Sequence, residues 1–261
     1  MVRFVLLAHA RSGSNLLMCG LFKQRNVHMF AELFNELEEE RRRSFRASFQ
    51  DCKTASVPHA SVKLDENEFY HDGEDGARFL DRAVFYRHTR ESVAVGFKMF
   101  FHQARSSENA RKVWQYLICD PEIRIIHLMR RNLLESFVSL QLAFQTDQWI
   151  FPRNGEAPPV PPPLYVCPKE CADYFRNVLA GRRWAREQFR GHPSIEVEYE
   201  EDLCRRFQAT MHRVQEFLGV PRRRSRRMLR KQAQRRPSEQ ISNYAELKAH
   251  FAPTPYARWF E

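Results

Sequence analysis

Apolar residues in this chain fall into short runs separated by turn residues, and the runs alternate with stretches that repeat every three to four positions. RFVLLA (3–8) has the pattern of a buried strand. The turn HARSGS follows, and NLLMCGLFKQ then shows helical spacing at Leu16, Leu17, Gly20 and Leu21. Strand, Gly/Ser turn and helix together open an α/β unit. A second apolar run from Val27 to Phe30 leads into an expected acidic helix through ELFNELEEERRRSFRASF, whose charge changes sign partway. Residues 51–91 have no clear period and contain the turn signals Val57-Pro58, Asp72-Gly73 and Asp75-Gly76, so an irregular stretch with a helix near 76–88 is expected.

SVAVGFKMFF (92–101) predicts the next strand and residues 107–119 a helix. IRIIHLM (123–129) is apolar on both faces, as in a parallel sheet covered on both sides, and runs through Arg130-Arg131-Asn132 into the helix LLESFVSLQLAFQ. PRNGEAPPVPPP (152–163) is too rich in proline for a helix or a central strand and predicts a surface loop. A long helix over 168–190, a strand at 195–199, a helix over 205–218 ended by Gly219 and Pro221, and a short helix around 243–250 complete the pattern. No internal repeat interrupts it. Strands alternating with helices predict one α/β domain over 1–261: a P-loop-like three-layer sandwich with a mainly parallel central sheet flanked by helices. Residues 40–91 and 152–163 are expected to be insertions that border a ligand pocket.

Composition narrows the function. The chain has 261 residues, 43% hydrophobic and 28% charged, which excludes both a membrane-embedded protein and wholesale disorder. Lys and Arg number 42 against 32 Asp and Glu, a net charge of +10 carried mostly by arginine. The guanidinium fork matches phosphate and sulfate oxygens, so an anionic partner is expected, either a polyanion or a small phosphorylated ligand. The six cysteines are scattered without a CxxC pair or a zinc pattern, which predicts free thiols, no metal and a cytoplasmic chain. MVRFVLLAHA imitates a signal peptide but turns polar at Arg11, too early for one. No stretch reaches the roughly 18 apolar residues of a membrane span.

Two strand–turn–helix junctions have anion-binding chemistry. In the first, Arg11-Ser12-Gly13-Ser14-Asn15, Gly13 permits close backbone approach, the polar side chains supply donors, and Arg11 and the helix N-terminus supply positive charge. No lysine follows Gly13, so this is not a Walker A loop. The second is His127-Leu-Met-Arg130-Arg131-Asn132, with Ser136 and Ser139 in the following helix. Two such sites on one sheet fit a ligand with separate phosphate groups, such as a nucleotide bisphosphate.

These motifs resemble the sulfotransferases that use 3′-phosphoadenosine 5′-phosphosulfate (PAPS), in particular the bacterial carbohydrate sulfotransferases of the trehalose and Nod-factor type. LLAHARSGSNLL resembles their 5′-phosphosulfate loop, which implies donor contacts from Arg11, Ser12, Gly13, Ser14, Asn15 and Leu16. Asn15 stands where most relatives have threonine. IIHLMRRNLLESFVSL resembles their 3′-phosphate block, with Ser139 and either Arg130 or Arg131 as the contacts. VEYEEDLCRRFQATMHRVQEFLGVP and SEQISNYAEL resemble later segments of the family, so the likeness runs from residue 3 to the end and is thinnest between 40 and 90.

The resemblance implies a glutamate base in HMFAELFN, where Glu32 lies twenty-one residues after Arg11, although the family's preceding proline is missing. Phe30 and Phe34 beside it are expected to raise its pKa. His102, four residues after Lys98, is the alternative base by analogy with cytosolic relatives, and Lys98 is expected to touch the acceptor or the sulfuryl group. In the basic segment 221–236, Arg235 and Arg236 are expected to close over the 3′-phosphate, the other arginines forming a solvated face. The implied reaction is in-line, metal-independent transfer from PAPS to a hydroxyl, releasing adenosine 3′,5′-bisphosphate. The partners expected are a small-molecule or glycan acceptor without nucleic acid, and a homodimer is the assembly to test for. A nucleotide kinase or a basic nucleic-acid-binding module is the alternative.

Overall fold

A computed structural model describes residues 1–22, 24, 26–35, 70–71, 73–85, 93–151, 153, 161–231 and 235–260. Its five strands, β1 (Val2–Ala8), β2 (Val27–Glu32), β3 (Ala94–Phe100), β4 (Arg124–Met129) and β5 (Ser194–Glu198), form one sheet in the order β2-β3-β1-β4-β5. Every neighbouring pair is parallel. β1 is therefore central, and the chain goes to one side of it for β2 and β3 and to the other for β4 and β5. The carboxyl end of β1 is the switch point where ligands bind in such sheets, and both arginine-bearing turns lie there.

Alternation along β1 splits its side chains between two layers. Val5 and Leu7 join Phe97, Met99 and Ile125 against α2 (Gly76–Phe79), the π-helical turn Leu80–Phe85 that continues it, and α3 (Glu108–Cys119). Phe4, Leu6 and Ala8 face the other way, toward α1 (Ser14–Phe22) and α6 (Phe207–Phe217). A third cluster packs α4 (Leu133–Thr146) and α5 (Pro168–Gln188) against the C-terminal segment through Phe137, Phe175, Phe251 and Trp259. The short α7 (Pro237–Gln240) and α8 (Tyr244–Phe251) belong to that segment.

Most element ends fall within a residue or two of the periodic runs. The main difference is at Glu32, which ends β2 and does not begin a helix. Of the acidic helix expected through ELFNELEEERRRSFRASF, the part from 36 onward lies outside the described residues, as do all of 40–69 and most of the proline-rich 152–163. A second difference is at Tyr199, the expected strand end, which begins the π-helical segment Tyr199–Arg205 leading into α6. Cys119, Cys167, Cys171 and Cys204 are free thiols, and no group of metal-ligating side chains occurs among the described residues. Among the same residues no helix is long and apolar enough to cross a membrane.

His127 on β4 is buried with its Nε2 unpartnered, and its ring meets Phe101 edge-on at 5.6 Å. Burial pushes its pKa down to about 4. Because the folded value lies below the unfolded one of about 6.5, this group's stabilisation is complete above that pH and declines as pH falls toward 4. Wild-type protein should lose about 2 kcal/mol between pH 7 and pH 5 from this ring, and His127→Leu should lose correspondingly less. Urea midpoints at the two pH values measure it; equal losses in both proteins would remove His127 as the cause.

Candidate active site

The loop Arg11–Asn15 is built under strain. Arg11 has φ +64° and Gly13 φ +92°, so the chain passes twice through the left-handed region within three residues. The Ser12 hydroxyl donates to the His9 carbonyl at 2.7 Å and fixes the turn from inside. A Cβ on Gly13 would stand 2.4 Å from a ring carbon of Tyr199, so the loop lies directly on that ring. Gly13→Ala should therefore cost at least about 1–3 kcal/mol, read as a lower Tm; an unchanged Tm would mean that the ring yields. Among the described residues nothing accepts a hydrogen bond from the backbone N–H groups of Gly13, Ser14 or Asn15, as expected at a helix N-terminus. Leu16 has turned into α1, its N–H donating to the Gly13 carbonyl.

The second junction closes onto the first. Arg130, 3% exposed, donates from NH1 to the Arg11 carbonyl at 3.1 Å and from NH2 to Glu135 Oε2 at 2.6 Å. Its guanidinium lies 4.8 Å above the Tyr199 ring, and its buried Nε has no hydrogen-bond partner. Arg131 points outward, with its guanidinium on Glu198. The backbone N–H groups of Arg131 and Asn132 both donate to the Glu200 carboxylate, which stiffens the turn. Asn132 caps α4 by accepting from Glu135 N–H. Ser139 on α4 meets Arg11: the Arg11 Nε donates to its hydroxyl at 3.0 Å. Helix α4 thus brings Ser139 back to the loop, to Arg11 and not to Arg130. Burial, with Arg130 adding to it, lowers the Arg11 pKa to about 10, so Arg11 stays charged at neutral pH.

Glu32 arrives by a break in register. Phe30 pairs with Phe97 and Glu32 with Lys98, so β2 has one extra residue and the bulge aligns Glu32 with Lys98. The Lys98 ammonium, buried at 3% exposure, contacts Glu32 Oε1 at 2.8 Å and donates to Asn15 Oδ1 at 2.7 Å. Gln103 and Asn35 donate to Glu32 Oε2 at 2.9 and 3.2 Å. A carboxylate, a lysine and the Arg11–Asn15 loop form one hydrogen-bonded chain.

This arrangement corrects the expected charge state. Burial does push the Glu32 carboxyl up, but Lys98 and the donated hydrogen bonds outweigh it and hold the pKa below the usual glutamate value. Phe34 turns into the core, edge-on to Tyr70, Phe79 and Phe97. His102 is exposed on the turn after β3, its ring 5.8 Å from that of Phe100.

The basic segment reaches the junction through a different residue from those singled out. Arg235 and Arg236 are exposed at the start of α7. Lys231 instead donates to Glu135 Oε2 at 2.7 Å, sharing that carboxylate with Arg130. Arg222, Arg223, Arg224 and Arg226 are exposed, as a solvated face requires, whereas Arg227 is half-buried and donates to the Leu203 carbonyl, and the buried Ser225 bonds to the Gly20 carbonyl. Gln103 and Lys231 were missed in the sequence; for Lys231 the only signal was the basic run itself.

No family model matches the chain. Nodulation protein H of Rhizobium tropici is 28% identical over 99% of this chain and 92% of its own length. Nodulation protein H of Rhizobium meliloti is 35% identical over 54% of this chain and 57% of its own length. A solved sulfotransferase from Alicyclobacillus acidocaldarius superposes with a TM-score of 0.51 at 15% identity, covering 97% of this chain and 92% of that one. By sequence the chain is a homologue of nodulation protein H, and by structure it has the sulfotransferase fold.

Proposed function

We propose that this protein is a sulfotransferase that moves the sulfuryl group of PAPS to a hydroxyl of a carbohydrate or glycolipid acceptor. The observation behind this reading is the continuous contact chain from Gln103 through Glu32 and Lys98 to Asn15. It couples a proton acceptor to an anion-binding loop at the switch point of the sheet. The Arg130 Nε, which has the Glu200 carboxylate 3.8 Å away but no hydrogen-bond partner, and the open N–H groups of the loop suit a ligand with two anionic groups.

In the proposed reaction the acceptor oxygen bonds to sulfur, the bond from sulfur to the phosphate oxygen breaks, and the hydroxyl proton passes to Glu32. Glu32 is held ionised by Lys98, so it starts in the form that can accept a proton. Lys98 also fixes its distance from the loop. Arg11 and the N–H groups of Gly13, Ser14 and Asn15 oppose charge growing on the leaving phosphate. Arg130 holds the 3′-phosphate, with Lys231 at the rim, and Ser139 accepts from the Arg11 guanidinium and orients it. The role of the chain is mainly to position and neutralise.

Ligand stabilisation tests this reading. Adenosine 3′,5′-bisphosphate at a hundredfold its Kd should add about 2.7 kcal/mol to stability and raise the Tm. ATP with Mg²⁺, or an oligonucleotide, should add much less. A rise with ATP and Mg²⁺ alone would favour a nucleotide kinase, and one with the oligonucleotide alone a nucleic-acid-binding module.

A further inference from the structure

The described surface has an apolar patch beside the loop to which neither junction assigns a role. Phe144 at the end of α4 is 65% exposed, Trp149 37% and Ile150 43%. The Phe144 and Trp149 rings meet edge-to-face at 5.1 Å and 86°. Three features hold them in place. Asp147 ends α4 in the left-handed region at φ +50°, turning the chain back, and accepts from the Trp149 indole N–H at 3.3 Å. The Trp149 carbonyl accepts from Arg11 NH1 at 2.7 Å. The next residues pair with the basic segment, Arg230 N–H donating to the Phe151 carbonyl and Arg153 N–H to the Met228 carbonyl.

From this placement we infer that Phe144, Trp149 and Ile150 form a platform for the acceptor, binding the C–H face of a pyranose ring. The inference rests on the sulfotransferase reading and specifies its acceptor side. Exposed rings locked in one arrangement mark a binding surface, since leaving them in water is unfavourable and ordering them has already been done. The direct bond from Arg11 to the Trp149 backbone makes the platform continuous with the donor loop, within reach of one bound acceptor. The exposed polar side chains Gln145 and Asp147 flank the rings. A sugar presents apolar C–H faces ringed by hydroxyls and matches both parts, whereas an acyl chain would leave the polar groups unmatched.

Trp149 is the one exposed tryptophan among the described residues, Trp184 being half-buried and Trp114 and Trp259 buried, so iodide quenching of fluorescence reports mainly on it. The intact chain would be titrated with chitotetraose, maltotetraose and trehalose, and separately with octanoate, with adenosine 3′,5′-bisphosphate absent and at saturation. At least one sugar should protect against iodide, and Phe144→Ala should weaken that sugar roughly three- to tenfold while bisphosphate affinity stays within twofold. Trp149→Phe should remove most of the quenchable signal, identifying its source. Protection by octanoate alone, by no sugar, or equally in Phe144→Ala would overturn the platform. Sugar protection in a wild-type protein that does not bind the bisphosphate would uphold the platform and reject the sulfotransferase reading.

Discussion

Glu32→Gln is expected to lower kcat by roughly 10²–10⁴ while leaving the affinity for adenosine 3′,5′-bisphosphate nearly unchanged. The amide keeps the shape, but its single oxygen can accept either from Lys98 or from Gln103 and Asn35, and it cannot take a proton. The loop is tied to Glu32 only through Lys98, which retains Asn15 as a partner, so the donor side should stay intact. The pH profile gives a second readout. With the Glu32 pKa held below the ordinary glutamate value, the acidic limb of kcat/KM should lie below about pH 4.5. Lys98→Met should move that limb upward, because burial would then act without its counter-charge. A histidine base would place the limb near pH 6.5. His102→Asn, on an exposed turn, should cost little; loss of activity there with retention in Glu32→Gln would reverse the assignment.

Arg130→Ala should weaken adenosine 3′,5′-bisphosphate roughly ten- to hundredfold, the effect of losing one charge-assisted contact of about 1.5–3 kcal/mol. Adenosine 5′-monophosphate, without the 3′-phosphate, should be affected much less. Glu135 keeps Lys231 as a partner in the variant, so the junction retains one of its ion pairs. Arg131→Ala should change little, since that guanidinium is exposed on Glu198. Calorimetry with both nucleotides decides the matter, and equal losses for the two would reject Arg130 as the 3′-phosphate contact.

The parts of the molecule legible in the sequence are those set by local pattern. Short apolar runs marked β1, β3 and β4 because both faces of the sheet are covered, and the two turns stood out because Gly, Ser and Arg cluster where runs end. Sheet order was not legible, since the β2-β3-β1-β4-β5 order is decided by packing between distant segments. Glu32 is singled out by the resemblance, which implies a glutamate about twenty residues after the loop, but its ionisation does not follow from its sequence neighbours. Phe30 and Phe34 adjoin it in sequence, while Lys98 is its neighbour only through a bulge in a parallel pair. The meeting of Arg11 with Ser139, 128 positions apart, likewise depends on how α4 lies against the loop. Lys231 was hidden in a run of similar charges, and only its meeting with Glu135 distinguishes it.

The central claim is that sulfuryl transfer depends on a carboxylate coupled to the anion-binding loop. The most direct measurement is a single-turnover assay with radiolabelled PAPS, a panel of glycan acceptors, and the wild-type, Glu32→Gln and Arg130→Ala proteins side by side. The account predicts labelled glycan from the wild type with one adenosine 3′,5′-bisphosphate released per transfer. It predicts a loss of rate at saturating PAPS in Glu32→Gln, and in Arg130→Ala a requirement for more PAPS. PAPS binding without transfer to any glycan, or full-rate transfer by Glu32→Gln, would contradict it.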